Sequence, residues 1–426
     1  MQDVWDVLSA RGFIEQASDE GNVGQQLAAE PVTCYIGFDP TATSLHVGSL
    51  VPIMALIHMQ KHGHKPIVLI GGGTGLIGDP SGKTEMRQIL SREQIDRNAD
   101  CLRRQFEKYL NFSDGRAEML NNAEWLTQLN YIEFLRDIGY HFSVNRMLSA
   151  ESYRMRLERG LNFIEFNYML LQAYDFLHLF QRYGCVLQMG GNDQWGNMLA
   201  GVDLIRRVEG KTAYCLTFPL ITTASGGKMG KTEKGTVWLD GELTSPYEYF
   251  QYWINTEDGD VQRFLSFFTF LPIEEIRRVR ELKDARLNMA KAVLAFEATK
   301  ISHGSAAALA AWKASVAAFK LRPVEEEILP SSSIPRASME QDNSAITRVN
   351  VARERVERGI PAFELFAEIQ LCASRGEARR LINQGGAYIN DEPVSSFDQK
   401  VNLQFLRDGE IHLRKGKKRH FIVDVK

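Results

Sequence analysis

The sequence predicts an α/β protein with an open parallel sheet first, then a helical region, then a small mixed α+β module. Two observations predict this. Short apolar runs (Val32–Phe38, Lys65–Ile70, Cys185–Met189) end in glycine-bearing turns and alternate with helical stretches up to about residue 222. Strands buried on both faces of a sheet read this way. Beyond about residue 245 the period becomes helical, and the prolines and serines of 323–335 break the chain before a last mixed segment. Composition agrees, since 426 residues at 44% hydrophobic and 24% charged provide an ordinary core and about three domains at roughly 150 residues each.

The same composition excludes several classes. No run approaches the ~18–20 apolar residues of a membrane span, and Met1-Gln2-Asp3-Val4-Trp5-Asp6 is no secretory signal. Five scattered cysteines without a CxxC pair point to reduced thiols in the cytosol, not to disulfides or a zinc site. The net charge of −3 excludes no partner, because basic residues cluster near the end.

The run Lys65–Ile70 opens into Gly71-Gly72-Gly73-Thr74-Gly75-Leu76-Ile77-Gly78-Asp79-Pro80-Ser81-Gly82-Lys83-Thr84. Gly73-x-Gly75-x-x-Gly78 fits the dinucleotide fingerprint, but Asp79-Pro80-Ser81-Gly82 interrupts the helix that should receive a pyrophosphate. Gly78–Thr84 is a phosphate loop one residue short. A tight crossover is the plain reading, and Asp79 points beyond it, as an acid at the carboxyl end of a strand where open sheets bind ligands. A single helix over Asn162–Arg182 sets Tyr168, Gln172 and Asp175 at i, i+4 and i+7 on one face. Met169, Leu170, Leu171, Phe176 and Leu177 make the segment apolar around most of its circumference, so a polar stripe there needs partners.

Ser245-Pro246-Tyr247-Glu248 reads as a helix start, Ala285–Lys320 as helix, and Phe264, Phe267, Phe268 and Phe270 as a buried seam. A linker with weak helix occupies 323–358. The final module then has helices over Pro361–Cys372 and Ser374–Asn383, with strands around Ala387–Ile389, Glu410–Leu413 and His420–Val423. Arg375, Arg379 and Arg380 share its second helix, and Arg414-Lys415-Gly416-Lys417-Lys418-Arg419 forms a second basic cluster. Such clusters suit phosphates, though a charge run alone is more often only solvated.

Cys34-Tyr35-Ile36-Gly37-Phe38-Asp39-Pro40-Thr41-Ala42-Thr43-Ser44-Leu45-His46-Val47-Gly48-Ser49 and Gly227-Lys228-Met229-Gly230-Lys231-Thr232 resemble the two signatures of class I aminoacyl-tRNA synthetases, HIGH and KMSKS. Tyr168 to Asp175 and Gly190-Gly191-Asn192-Asp193-Gln194-Trp195-Gly196-Asn197 narrow the resemblance to tyrosyl-tRNA synthetases of bacterial type, over almost the whole chain. There are departures: Ser49 replaces a histidine, and Gly230 and Thr232 stand where serines are usual.

The resemblance implies a Rossmann-like catalytic domain (1–222, with a dimer and acceptor-stem insert), and a mobile lysine loop with a helical anticodon-region domain (223–322). A linker (323–358) and an RNA-binding module of the ribosomal protein S-four type (359–426) follow. It implies activation of tyrosine with ATP and transfer to the terminal ribose of tRNA, by a cytoplasmic homodimer away from membranes. Magnesium would arrive with ATP, with no tightly held protein metal.

By the same resemblance, Thr41, His46, Ser49, Lys228, Lys231 and Thr232 serve catalysis. Tyr168, Gln172 and Asp79 hold the substrate ammonium, Asp175 and Tyr35 meet the phenol, and Gln188 and Gln194 flank a glycine turn, Gln194 near the carboxylate. Gly37, Asp39, Gly48, Ser49, Gly191, Asp193, His46 and Lys231 take the nucleotide. Asp39 adds charge near the ammonium or caps the turn at Pro40. Arg375, Arg379, Arg380, Lys415, Lys417 and Lys418 meet RNA. Two alternatives stand beside this: a regulatory RNA-binding protein on a synthetase-like scaffold, and a dinucleotide oxidoreductase using Gly73–Gly78.

Overall fold

The computed structural model describes residues 3–81, 90–150, 153–154, 157, 160–224, 226, 229–232, 235–319, 321–336, 347–416 and 419–426, with only the backbone at 231–232. By contacts the chain forms two units. The first is Met1–Ser245 with Thr256–Ala290 and Leu329–Ser332, and the second is Pro246–Asn255 with Lys291–Ile328 and Ser333–Lys426.

In the first unit, strands β1 (Gln16–Ala17), β2 (Thr33–Phe38), β3 (Lys65–Ile70), β4 (Glu118–Asn121), β5 (Cys185–Gly191) and β6 (Tyr214–Phe218) form one sheet in the order β1-β6-β5-β2-β3-β4. All neighbours are parallel except β1 with β6. The order reverses between β2 and β5, and the crevice at the carboxyl ends beside such a reversal is where open sheets bind ligands. The apolar runs read from the sequence become β2, β3 and β5 because both faces of each are covered. Leu50–Lys61 is buried almost all round, as its unbroken apolar composition requires. Arg92–Phe106 instead starts at a Ser91–Gln94 capping box and buries one stripe.

The expected helix over Asn162–Arg182 is two pieces, Phe163–Phe166 and Tyr168–Tyr183. Asn167 divides them, its side-chain amide donating to the Phe163 carbonyl at 2.7 Å beside its own backbone N–H at 3.3 Å. Gly184 ends the longer piece in the left-handed region, φ 62°. Phe264, Phe267 and Phe268 are buried as expected, and Phe267 meets Phe13 edge-on at 5.0 Å. Arg11 donates to the carbonyls of Ser266, Thr269 and Leu271, tying the N-terminal helix Val4–Arg11 to the end of Val261–Phe268. A short hairpin, β7 (Lys231–Thr232) with β8 (Gly235–Thr236), lies in the segment of the second signature.

In the second unit, β9 (Thr347–Val351), β10 (Ile360–Pro361), β11 (Ala387–Ile389), β12 (Glu392–Pro393), β13 (Lys400–Val401), β14 (Glu410–Lys415) and β15 (Arg419–Val425) follow. Five of them form a sheet ordered β12-β11-β14-β15-β9, with β10 and β13 paired separately. Strand β9 is a correction, because it lies in the stretch read as linker and weak helix yet pairs in parallel with β15. The helices Ala362–Glu368 and Arg375–Asn383 cover a core that includes Phe366, Ile382 and Ile411. Ile422 packs with Tyr247 and Ala314, joining the sheet to the helices Pro246–Ile254 and Ser305–Phe319. Among the described residues no helix is long and apolar enough to cross a membrane.

Candidate active site

A cavity of about 430 Å³ opens at the carboxyl ends of β2, β3 and β5. It gathers Tyr35, Gly37, Asp39, Thr41, His46, Gly48, Ser49, Asp79, Tyr168, Gln172, Asp175, Gln188, Gly191, Asp193 and Gln194. These come from loops and strands far apart in the chain, and the sequence marked each of them. Lys228 lies outside the described residues, and Lys231 and Thr232 are described only as backbone of β7.

At the inner end stand Tyr35 and Asp175, 1% and 2% exposed. Asp175 accepts from Asn122 Nδ2 at 2.8 Å and Trp125 Nε1 at 2.7 Å. Burial raises its pKa to about 7, against the pull of those two donors. Burial, then the Asp175 charge, pushes the Tyr35 phenol well above its ordinary range, so Tyr35 keeps its proton and can donate. Among the described residues Tyr35 Oη and Gln188 Oε1 are buried polar atoms with no hydrogen-bond partner. Such atoms are costly unless something completes them.

A second polar belt lies toward Asp79. Its carboxylate accepts from Gln194 Nε2 at 2.7 Å and from the Ser81 N–H at 2.9 Å. Buried Asn197 donates to Gln172 Oε1 at 3.0 Å and reaches Gln194 Oε1 at 3.2 Å. Gln194, which the resemblance sets near the substrate carboxylate, here donates to Asp79. Tyr168 donates to Asp39 Oδ2 at 3.0 Å, and Thr74 Oγ1 donates to Asp39 Oδ1 at 2.8 Å. The Asp39 carboxylate thus lies inside the polar network, next to the Tyr168 hydroxyl. Asn122 donates to Thr74 Oγ1 as well as to Asp175, so Asp39, Thr74, Asn122 and Asp175 form one hydrogen-bonded chain.

The first glycine of the loop after β3 is required by this chain. A Cβ on Gly71 would lie 2.1 Å from Asp39 Oδ1 and 2.6 Å from Thr74 Oγ1, with the Asp39 Cα only 3.2 Å away. Gly71→Ala is therefore expected to displace the Asp39 carboxylate and to weaken about tenfold, the value of one charge-assisted hydrogen bond, binding of the amino acid that the resemblance implies. Equilibrium dialysis against the free amino acid checks this.

At the outer rim the Gly48 N–H donates to His46 Nδ1 at 3.0 Å, which fixes the imidazole proton on Nε2. The segment 45–47 is laced to 237–239: the Val47 N–H donates to the Val237 carbonyl at 3.0 Å, and the Leu239 N–H to the Leu45 carbonyl at 2.9 Å. The Val237 N–H donates in turn to the Gly230 carbonyl at 2.9 Å. The two signature segments are thus joined by backbone bonds. Gly230 has φ +79°, so the glycine that departs from the usual serine occupies a conformation serine would adopt under strain.

In the last module Arg375 donates to Glu364 at 2.6 Å, and Lys415 pairs with Glu377. The Arg379 guanidinium lies 4.2 Å from the Phe363 ring centroid and 5.4 Å from that of Phe397. Arg380 is exposed on the same helix, and Lys417 and Lys418 lie outside the described residues. Much of this basic charge is engaged within the module.

Sequence reasoning missed Asn122, Trp125, Thr74 and Asn197. Asn122 follows directly on β4, the strand that ends at Asn121 and pairs in parallel with β3. Strand β4 is only four half-buried residues, too short to be read.

Residues 27–320 match the family of class I tRNA synthetases for tryptophan and tyrosine, and residues 338–423 match the C-terminal domain of the tyrosine–tRNA ligase SYY-like type. The chain is 66% identical to a tyrosine–tRNA ligase of Syntrophus aciditrophicus over 100% of this chain and 99% of that protein. It is 52% identical to one of Caldanaerobacter subterraneus, over 99% of each. A solved C-terminally truncated mitochondrial tyrosyl-tRNA synthetase of Aspergillus nidulans aligns with TM-score 0.66 at 30% identity, covering 73% of this chain and 93% of that one.

Proposed function

The chain belongs to the tyrosine–tRNA ligases, within the class I tRNA synthetases, and from that premise we propose how its cavity carries out the activity. The family reaction joins tyrosine to ATP as tyrosyl-adenylate with release of pyrophosphate, then passes the tyrosyl group to tRNA. The tyrosine carboxylate is already ionised at neutral pH and attacks the α-phosphorus without a general base. Alignment and stabilisation of phosphate charge are what remain for the protein.

The observation behind this reading is the unpartnered Tyr35 hydroxyl beside ionisable Asp175 in the floor of the cavity. A phenol there donates to Asp175 and accepts from Tyr35. Gln188, also unpartnered through Oε1, lies along the path of the substrate. Asp79, Gln172 and Tyr168 take the ammonium, with Asp39 adding charge through Tyr168 and Gln194 braced against Asp79. ATP enters as its magnesium complex along Gly37, Gly48, Ser49 and Gly191, with Asp193 on the ribose. His46 Nε2–H and the Thr41 hydroxyl donate to the phosphates, and Lys228, Lys231 and Thr232 serve the leaving pyrophosphate.

The remaining assignments follow the same premise. Tyr131, Ile132, Tyr140, Val144 and Phe163 are 56–83% exposed, an apolar stretch suited to a homodimer face. The last module binds tRNA with exposed Arg379 and Arg380, with Arg375 and Lys415 exchanging their carboxylate partners for phosphates, and with Lys417 and Lys418. The setting is the cytoplasm, in keeping with five free cysteines.

Amino-acid-dependent exchange of labelled pyrophosphate into ATP tests the reading, with tyrosine alone supporting exchange among the twenty amino acids. Exchange driven by tryptophan instead would contradict it. A pH series adds a second test. Because burial raises the Asp175 pKa to about 7, acidification through neutrality protonates the acceptor. The tyrosine KM should then rise about tenfold from pH 8 to pH 6, as expected for a single titrating group, while the phenylalanine KM should not follow it.

A further inference from the structure

Trp125 points its indole N–H at Asp175 from a helix of one turn, Ala123–Leu126, which has no side-chain cap bond at Asn122. The ring is buried in the cluster that also holds Tyr35, Phe134 and Phe176, but the element that carries it is a single turn. The face of the ring is covered by His178, with ring centroids 4.3 Å apart and planes 15° from parallel. Asp175 and His178 are three residues apart on Tyr168–Tyr183 and share one face. One helix therefore grips the indole twice, at the N–H edge through Asp175 and across the face through His178. Tyr174 and Tyr183 flank His178 at 6.4 and 6.5 Å, and Phe134 meets Tyr174 edge-on at 5.6 Å, so the imidazole is itself held.

We propose that His178 is a positioning residue for tyrosine recognition: its flat stack holds Trp125 so that the indole N–H stays on Asp175 and the carboxylate presents its remaining lone pairs to the phenol. The inference rests on the phenol reading above. Burial, and secondarily Arg182, lowers the His178 pKa, so the ring is neutral at pH 7 and stacks without adding positive charge beside Asp175. Without the stack the indole can rotate away. Asp175 then loses one of the two donors that hold it ionised and becomes a poorer acceptor.

The test measures pyrophosphate exchange with tyrosine and with phenylalanine in wild type and in His178→Ala, His178→Phe, Trp125→Phe and the His178→Ala/Trp125→Phe pair. His178→Ala should lower the tyrosine-over-phenylalanine ratio of kcat/KM about threefold to tenfold, the range of one aromatic stack. The loss should fall on the tyrosine KM and leave the ATP KM in place. His178→Phe, which keeps a flat ring, should restore the ratio to within about twofold. Trp125→Phe should itself lower the ratio, and adding His178→Ala to it should change little further, by less than about twofold, because the two residues act as one unit.

An unchanged ratio in His178→Ala overturns the inference. So does equal loss in the alanine and phenylalanine variants, or a full His178→Ala effect in the Trp125→Phe background. Should the alanine variant fail to fold, His178→Leu fills the volume without a ring and is read in the same way. Asp175→Asn separates the two levels. If it leaves the ratio intact the phenol reading itself fails, whereas loss in Asp175→Asn with none in His178→Ala sinks only the role of His178.

Discussion

Asp175→Asn is expected to cut kcat/KM for tyrosine about 100-fold while moving that for phenylalanine by less than about threefold, since a hydrogen bond to a buried charge contributes about 1.5–3 kcal/mol. The substitution keeps the volume of the side chain, so the packing of Tyr35 against Phe176 is preserved. What changes is acceptor chemistry. Asp175 receives both Asn122 Nδ2 and Trp125 Nε1. An asparagine amide accepts through oxygen alone and turns its own donors toward the other partner. One of the two neighbours is left facing a donor, and the phenol of tyrosine loses its charged acceptor. Phenylalanine never used that acceptor, so its activation is nearly untouched. Parallel steady-state pyrophosphate exchange with the two amino acids reads this out, and equal losses for both would mean that Asp175 supports the fold and not the selectivity.

The second large effect concerns the end of the chain. A protein ending at Arg336 is expected to retain pyrophosphate exchange within about threefold and to lose tRNA charging by about 100-fold or more, the effect of removing two or more charge-assisted phosphate contacts. Every residue lining the cavity lies between Tyr35 and Trp238, inside the first unit. The sheet from β9 to β15 belongs to the second. Truncation uncovers Tyr247 and Ala314 where Ile422 packed, so thermal melting should accompany the assay to separate lost binding from lost folding. Joint loss of exchange and charging in a folded truncated protein would contradict the division of labour.

How much of this was legible follows from which residues lie where. Strands β2, β3 and β5 could be read because both their faces are buried, which leaves unbroken apolar runs. Tyr168, Gln172 and Asp175 could be read because a polar stripe on an otherwise apolar helix has to be completed. The glycines after β3 were visible but not their cause, since the Asp39 carboxylate that crowds Gly71 is 32 positions earlier in the chain. Asn122 and Trp125 were not legible because β4 is short and half-buried, without the alternation or the apolar run that marks a strand. Strand β9 escaped for a related reason: Val351 is its only buried side chain, and its partner β15 lies some 70 residues later. The break at Asn167 falls at a residue whose side chain bonds the Phe163 carbonyl, a local contact that helical periodicity does not register.

The central claim is that a buried phenol and a buried carboxylate, each from a different element, jointly recognise a para-hydroxylated ring. A crystal structure of the full chain with L-tyrosine bound tests it most directly. The account predicts the ligand's phenolic oxygen within about 2.6–3.2 Å of both Tyr35 Oη and an Asp175 carboxylate oxygen. A phenolic oxygen bound elsewhere, with Tyr35 Oη still lacking a partner, would contradict it.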